Sequence, residues 1–490
     1  MAYRVLIVIF SLVLFLRSAW ISDDALISLR SALNLAQGWG PGFNATESVQ
    51  AYTHPLWFLL WTAIGSTTGQ WFVGIVALSV AATTGTVALL ITQTSSLARI
   101  TLLTALLWLS NSFIDFSTSG LENPLAFLGI AILFVLTFHL SRQPDRRPML
   151  EIPLIGLTSA GLVLIRLDLI VIIALPLLFV LWRYRDKIKA WLVAAALFGV
   201  PLIIWFTWSF LTYASVLPNT FAAKTNSLIP RTELIVTGLR YLRVTFSQDP
   251  ITFLIVLAAI VLTFLLGSTL LRMWASGIAL YLLYIVWIGG DFMAGRFTAV
   301  PVVISLFLLA RVPIRPSAEA SSASPKSMTT LAFVIALGLL GVLQISGIQS
   351  TALANPQTPR WNWMDENNIA DERGEYVQRG WAAFDSTVRL WPEGDGPIDI
   401  PTDAIEICGR MGEAAIQAGP TVHVIDQCAL ADRFLAEKTF IPPEPFAWRP
   451  GHLSRVLPDG YVEAVQLNDP GQVRDPQERS RLRSLWEEIR

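Results

Sequence analysis

Two adjacent aspartates, Asp23 and Asp24 in ISDDALISLR (21–30), follow the first apolar run of the chain. Side by side they repel, and next to a low-dielectric slab neither ionises cheaply. A carboxylate at such a place can accept a hydroxyl proton, attack an electrophilic carbon or bind a divalent cation. It can also cap a helix: SDD opens ALISLRSALNLAQG, where Ser22 or Asp23 would satisfy free first-turn amides. One carboxylate of the pair would then cap and leave the other for chemistry. Asp23, Ile27 and Arg30 recur about one turn apart, so Arg30 can face the same cleft.

Further chemistry-bearing residues lie in short polar clusters between apolar runs. His54, with Glu47 and Tyr52, ends FNATESVQAYTHP; Glu122 and Asn123 lie in DFSTSGLEN; Arg166 and Asp168 form RLD. Asn219 and Lys224 lie in YASVLPNTFAAKTN, and Asp291 and Arg296 in GGDFMAGRF. Arginine and lysine are the side chains that recognise phosphate, which makes Arg30, Arg166, Lys224 and Arg296 the basic candidates. Each has a structural counter-reading. Arg166 and Asp168 can simply neutralise each other inside apolar sequence, and Glu122 suits a helix N-terminus. Lys224 can reach toward headgroups, Arg296 can pair with Asp291, and a histidine before proline is a common turn residue. The sequon at Asn44 is incidental.

The elements that must position these residues follow from composition. Of 490 residues 53% are hydrophobic and 14% charged, with a mean hydropathy of +0.55; a soluble chain carries about 25% charged residues. The chain therefore reads as a polytopic α-helical membrane protein. The net charge of −1 says nothing about nucleic acid, and the lack of a basic patch with interleaved aromatics speaks against such a partner. Met1 to Leu16 lacks a small-residue cleavage site and reads as a retained first span. Arg4, Arg99, RQPDRR (142–147), RYRDKIK (183–189), Arg272 and RVPIR (311–315) all fit the cytoplasmic side. Further spans then fall near 71–93, 99–113, 121–140, 151–165, 168–182, 190–212, 250–267, 272–288, 297–311 and 329–348. That gives about eleven crossings, against ~20 residues for a perpendicular one. HPLWFLLWTAIG (54–65) breaks the parity and reads as an interfacial helix with Trp57 and Trp61 at headgroup depth. On this path every polar cluster above lands on the outer face. A transporter would instead hold its polar groups at mid-span, often in repeated halves.

The sequence divides at 348: a membrane part, 1–348, with interfacial helices in the first outer loop (21–70), and a soluble extracytoplasmic part, 349–490. In the latter, IEICGRMGEAAIQAGPTVHVIDQCALADRFLA reads as strand, helix, strand, helix, a small α/β layer. Cys408 and Cys428 follow the two strands on the oxidising side, where they either pair or stay buried and free. His452 in RPGHLSRVLPDGY reads as a structural loop residue.

This order of parts resembles the GT-C superfamily of integral-membrane glycosyltransferases. DDALISLRSALNLAQGWGPGFNATESVQAYTHPLW (23–57) is similar to the first-loop signature of the bacterial arabinofuranosyltransferase-like group, which includes the mycobacterial-type terminal β-(1→2)-arabinofuranosyltransferases of cell-wall arabinan. SGLENPL, IRLD, LPNTFAAK, GGDFMAGRF and GRMGEAAIQAGPTVHVIDQCALAD continue the likeness along nearly the whole chain, which is short in the terminal part. The resemblance implies a GT-C fold in a bacterial plasma membrane, N-terminus cytoplasmic, with membrane lipids around it. It implies a polyprenyl-phosphate-linked sugar donor, arabinofuranose first, and a cell-envelope glycan acceptor. It makes Asp23 or Asp24 the principal carboxylate. Arg30, His54, Glu122, Asn123, Arg166, Asp168, Asn219, Lys224, Asp291 and Arg296 become the donor-binding candidates, with a divalent cation as an option. Lipopolysaccharide or protein glycans are alternative acceptors, and a lipid-linked-sugar flippase is the alternative of another class.

Overall fold

The structure is a computed structural model that describes residues 2–142, 147–313, 368–382 and 403–490. It is predominantly helical. Among the described residues five helices are long and apolar enough to cross a membrane: Trp71–Thr92, Asn123–Arg142, Pro148–Ile165, Ile188–Tyr213 and Thr269–Ile288. A sixth crossing arises if Arg231–Gln248 and Pro250–Leu266, bent by 109°, count as one. The break falls at Asp249-Pro250, where the proline opens the second helix and the Asp249 carboxylate caps it at Thr252 N. Five or six of the expected crossings of about eleven are thus supported by length and composition. Leu97–Leu109 and Ala299–Arg311 are apolar but shorter, as are Ala2–Arg17 and Ile170–Arg183; the expected 329–348 span lies outside the described residues. Ile203, Ile204, Phe210 and Leu211 are exposed along the Ile188–Tyr213 helix. Such an exterior is that of a membrane protein.

The chain forms two compact units, neither continuous in sequence. The first comprises Met1–Trp20, Val76–Pro201 and Ile235–Ala382; the second comprises Ile21–Ile75, Leu202–Leu234 and Ala383–Arg490. Contacts thus divide the chain elsewhere than at 348: segment 368–382 belongs to the first unit and the first loop to the second.

In the first unit, helices pack closely where small residues permit. A Cβ on Gly277 would stand 2.1 Å from the Ile172 carbonyl oxygen, so Thr269–Ile288 approaches Ile170–Arg183 only because that position is glycine. Basic residues tie together one end of the helices. Arg99 donates to the Ala310 and Val312 carbonyls, Arg4 to that of Thr94, and Arg311 to Gln93 Oε1. Glu122, Arg166 and Arg296 lie at the opposite ends of the helices Asn123–Arg142, Pro148–Ile165 and Ala299–Arg311. Segment 368–382 pairs with the GGDFMAGRF turn, Ala370 N donating to Phe292 O at 2.7 Å and Ala294 N to Ala370 O at 3.1 Å.

In the second unit, strands Asp403–Ile407 and Val422–Asp426 run parallel, Ile405 opposite Val424, with the helix Met411–Ala418 between them in sequence. Cys408 and Cys428 form a disulfide just beyond the strand ends. The Pro55–Thr68 helix forms where an interfacial one was expected, but Trp57 and Trp61 are fully buried. Trp61 spends its indole N–H on the Trp71 carbonyl at 2.9 Å, so these rings serve the core and not a headgroup layer.

Candidate active site

The candidate residues divide between the two units, and each unit builds its own polar centre. In the second unit the aspartate pair separates by role. Ser22 caps its own helix, accepting from Ala25 N at 3.3 Å. Asp23 turns to another helix: its carboxylate accepts from Glu413 N at 2.8 Å and Gly412 N at 3.1 Å, the first turn of Met411–Ala418. Burial pushes the Asp23 pKa up to about 7, against the pull of those two amides. Gly412 makes the approach fit, since a Cβ there would stand 2.1 Å from the Asp23 carbonyl oxygen.

Arg30 holds the other end of the same helix. It donates to the Gly419 carbonyl at 3.1 Å, to Val422 O and Phe43 O at 2.8 Å, and to Ala415 O. A carboxylate at the N-terminus and a guanidinium at the C-terminus complement the helix dipole. Arg30 is fully buried, and burial lowers its pKa to about 9. These Arg30 donors all go to backbone carbonyls, and its phosphate-binding role stays an expectation. His54 and Asn219 likewise make contacts within the second unit. His54 Nε2 meets Ser28 Oγ at 2.7 Å and joins two helices; Asn219 donates to the Ala429 and Leu430 carbonyls at 2.9 and 3.1 Å. Asn44 binds Val424 in the manner of a strand neighbour, accepting from its N–H at 3.0 Å and donating to its carbonyl at 3.1 Å.

Asp24 remains half-buried at the start of its helix. Its charge is felt at His452, together with those of Arg449 and the exposed Lys224. Burial, then Arg449, lowers the His452 pKa to about 4, so the ring is neutral at physiological pH. The Pro450 carbonyl, 3.3 Å from Nδ1, assigns the ring proton to that nitrogen. The ring lies against Gly409, whose backbone φ of +92° and whose missing Cβ, 3.4 Å from Cδ2, leave it room. One accessible carboxylate, a neutral imidazole and two cations thus share one region of the second unit. From sequence His452 reads as a structural loop residue and Arg449 is not singled out; the signal there is the basic, histidine-bearing loop RPGHLSR.

The first unit gathers Glu122, Asn123, Arg166, Asp168, Asp291 and Arg296 from three sequence-distant motifs. Arg166 makes a two-point pair with Asp168, Nε to Oδ1 at 3.0 Å and Nη2 to Oδ2 at 2.6 Å. Tyr281 joins it, donating to Asp168 Oδ2 at 2.6 Å and accepting from Arg166 Nη2 at 3.1 Å. Glu122 Oε1 lies 3.7 Å from Arg166 and 3.6 Å from Arg296, which stands 3.9 Å from Asp291. The Arg166 guanidinium also covers the Phe297 ring at 4.9 Å. Among the described residues Asn123 Oδ1 and Arg166 Nη1 are buried without a hydrogen-bond partner. An acceptor and a donor beside a carboxylate are what a sugar hydroxyl or a phosphate oxygen would satisfy. Asp115 and Arg373, 3.9 Å apart, were not singled out from sequence; Arg373 lies on the segment beside the GGDFMAGRF turn. Among the described residues no group of His, Cys, Asp and Glu could hold a metal ion.

No family model matches the chain, and no solved structure matches it. Over 38 residues it is 60% identical to a terminal beta-(1->2)-arabinofuranosyltransferase of Corynebacterium glutamicum, a stretch covering 8% of this chain and 6% of that protein.

Proposed function

We propose that this chain is a membrane-bound glycosyltransferase. In this reading it moves a sugar, arabinofuranose first, from a polyprenyl-phosphate donor to a cell-envelope glycan at the outer face of a bacterial plasma membrane. The apolar helices and the short likeness to an arabinofuranosyltransferase support the class. The observation that carries the chemistry is the separation of the aspartate pair. Asp23 is committed to a helix terminus, whereas Asp24 is accessible beside His452, Lys224 and Arg449.

Asp24 is then the base. It takes the proton of an acceptor hydroxyl while that oxygen bonds to the anomeric carbon; the bond from that carbon to the phosphate oxygen breaks, and polyprenyl phosphate leaves as an anion. A phosphate needs no protonation to leave, so cations matter more than a general acid. Lys224 and Arg449 supply them. His452 contributes a neutral imidazole to the same region. If configuration is retained, Asp24 instead attacks the anomeric carbon as its bond to the phosphate oxygen breaks; the acceptor hydroxyl then displaces the Asp24 carboxylate from the glycosyl ester and gives its proton to the released polyprenyl phosphate anion. In the first unit, Asn123 and Arg166 are the groups with unused hydrogen-bonding capacity for donor hydroxyls or phosphate.

The test is incubation of the purified protein with defined polyprenyl-phosphate sugars and synthetic glycan acceptors, followed by linkage analysis. A new glycosidic bond from the arabinofuranosyl donor is expected. Transfer of the lipid-linked sugar between leaflets with no bond formed would overturn the reading.

A further inference from the structure

The second unit holds a cavity of about 380 Å³ at the lower end of the range for small-molecule sites. It is separate from the Asp24 cluster by its lining. Arg433 and Glu437, one turn apart, face it, and Val216, Leu217 and Phe221 form an apolar side. Those three lie within eight residues of Tyr213, the end of the candidate membrane span Ile188–Tyr213. Phe221 is 54% exposed, and upstream Leu211 is 77% exposed, so the apolar rim continues a surface that faces lipid.

The charges inside are fixed and opposite. Arg433 is oriented by the Tyr213 carbonyl at 2.7 Å, with Glu488 at 3.4 Å. Glu437 takes Arg481 Nε at 2.9 Å through Oε2, and a carboxylate has lone pairs beyond one such bond. A cation and an anion one helical turn apart, next to an apolar wall at a span terminus, match a ligand with a phosphate, an ammonium and an acyl chain. We infer that this cavity binds the headgroup of a zwitterionic ethanolamine phospholipid, phosphate on Arg433 and ammonium on Glu437, with acyl carbons along Val216, Leu217 and Phe221. Ethanolamine fits better than choline because its ammonium carries N–H donors for the Glu437 carboxylate, whereas a quaternary ammonium has none.

The full chain, reconstituted in nanodiscs of mixed phosphatidylethanolamine, phosphatidylcholine and phosphatidylglycerol and released into detergent, is read by native mass spectrometry. Wild type should retain ethanolamine lipid in about tenfold preference over the other two, the ratio expected from one extra charge-assisted contact. Val216→Trp, which fills the cavity, should lose that lipid; Glu437→Gln should erase the preference while leaving total lipid retention and the melting temperature unchanged. If Val216→Trp fails to fold, the Glu437→Gln preference decides. Equal retention of the three lipids by wild type, an unchanged preference in Glu437→Gln, or displacement of the lipid by a soluble oligosaccharide would overturn the inference; the last would mark a glycan site instead.

Discussion

Asp23 shows how far a single residue's surroundings decide its job. Its folded pKa, about 7, lies above the ordinary 3.8. Between those values the folded chain holds a proton that the unfolded chain has released. This group's contribution to stability is therefore full below pH 3.8 and is lost as pH rises toward 7. The slope is at most about 1.4 kcal/mol per pH unit. Asp23→Asn should flatten the thermal-unfolding curve across that window relative to wild type; identical slopes would contradict the assignment. Asp426 and Asp432, also raised by burial, slope the same way and stay in both proteins. Arg166 is the second case. Removing it leaves the half-buried Asp168 without its cation and the buried Glu122 with Arg296 alone, so Arg166→Ala should cost about 3–5 kcal/mol in unfolding experiments. Arg166→Lys should recover only part, because an ammonium cannot reproduce the two-point pair. At this scale the sequence located most of the polar side chains but not their partners. The Arg166–Asp168 pair was legible because the two residues are two positions apart. The contacts of Arg30 and Asp23 with the helix Met411–Ala418 were not, since those partners lie 385 or more residues away.

Among the elements, the strand–helix–strand unit around GRMGEAAIQAG was legible, because apolar runs, glycines and Gly419-Pro420 bound each piece. Its fixing onto the first-loop helix was not, as it depends on a long-range fit at Gly412. Trp57 and Trp61 misled for a related reason: tryptophan suits both an interface and a core, and only packing decides. The disulfide between Cys408 and Cys428 staples this unit across a separation of 20 residues. Loop-closure entropy assigns such a crosslink about 3 kcal/mol. The double variant Cys408→Ser/Cys428→Ser should melt earlier than wild type and ignore reductant, while reductant lowers the wild-type melting temperature. A wild-type melt indifferent to reductant would remove the disulfide's role.

For the whole molecule, composition and long apolar runs were enough to class it, because a low-charge, lipid-facing exterior needs no partner information. The number of crossings was not, because helices such as Leu97–Leu109 are apolar yet short. The division into units was equally hidden, since each is assembled from three separated segments. In the proposed reading, what the molecule as a whole does turns on one of two neighbouring carboxylates. The direct measurement is the initial rate of sugar transfer from a defined polyprenyl-phosphate donor by the purified wild type, Asp24→Asn and Asp23→Asn, each checked for intact folding. With Asp24 as the base, Asp24→Asn should lose at least about 100-fold in rate while unfolding like wild type, and Asp23→Asn should keep its transfer rate at temperatures where it stays folded. Wild-type transfer by a folded Asp24→Asn protein would contradict it.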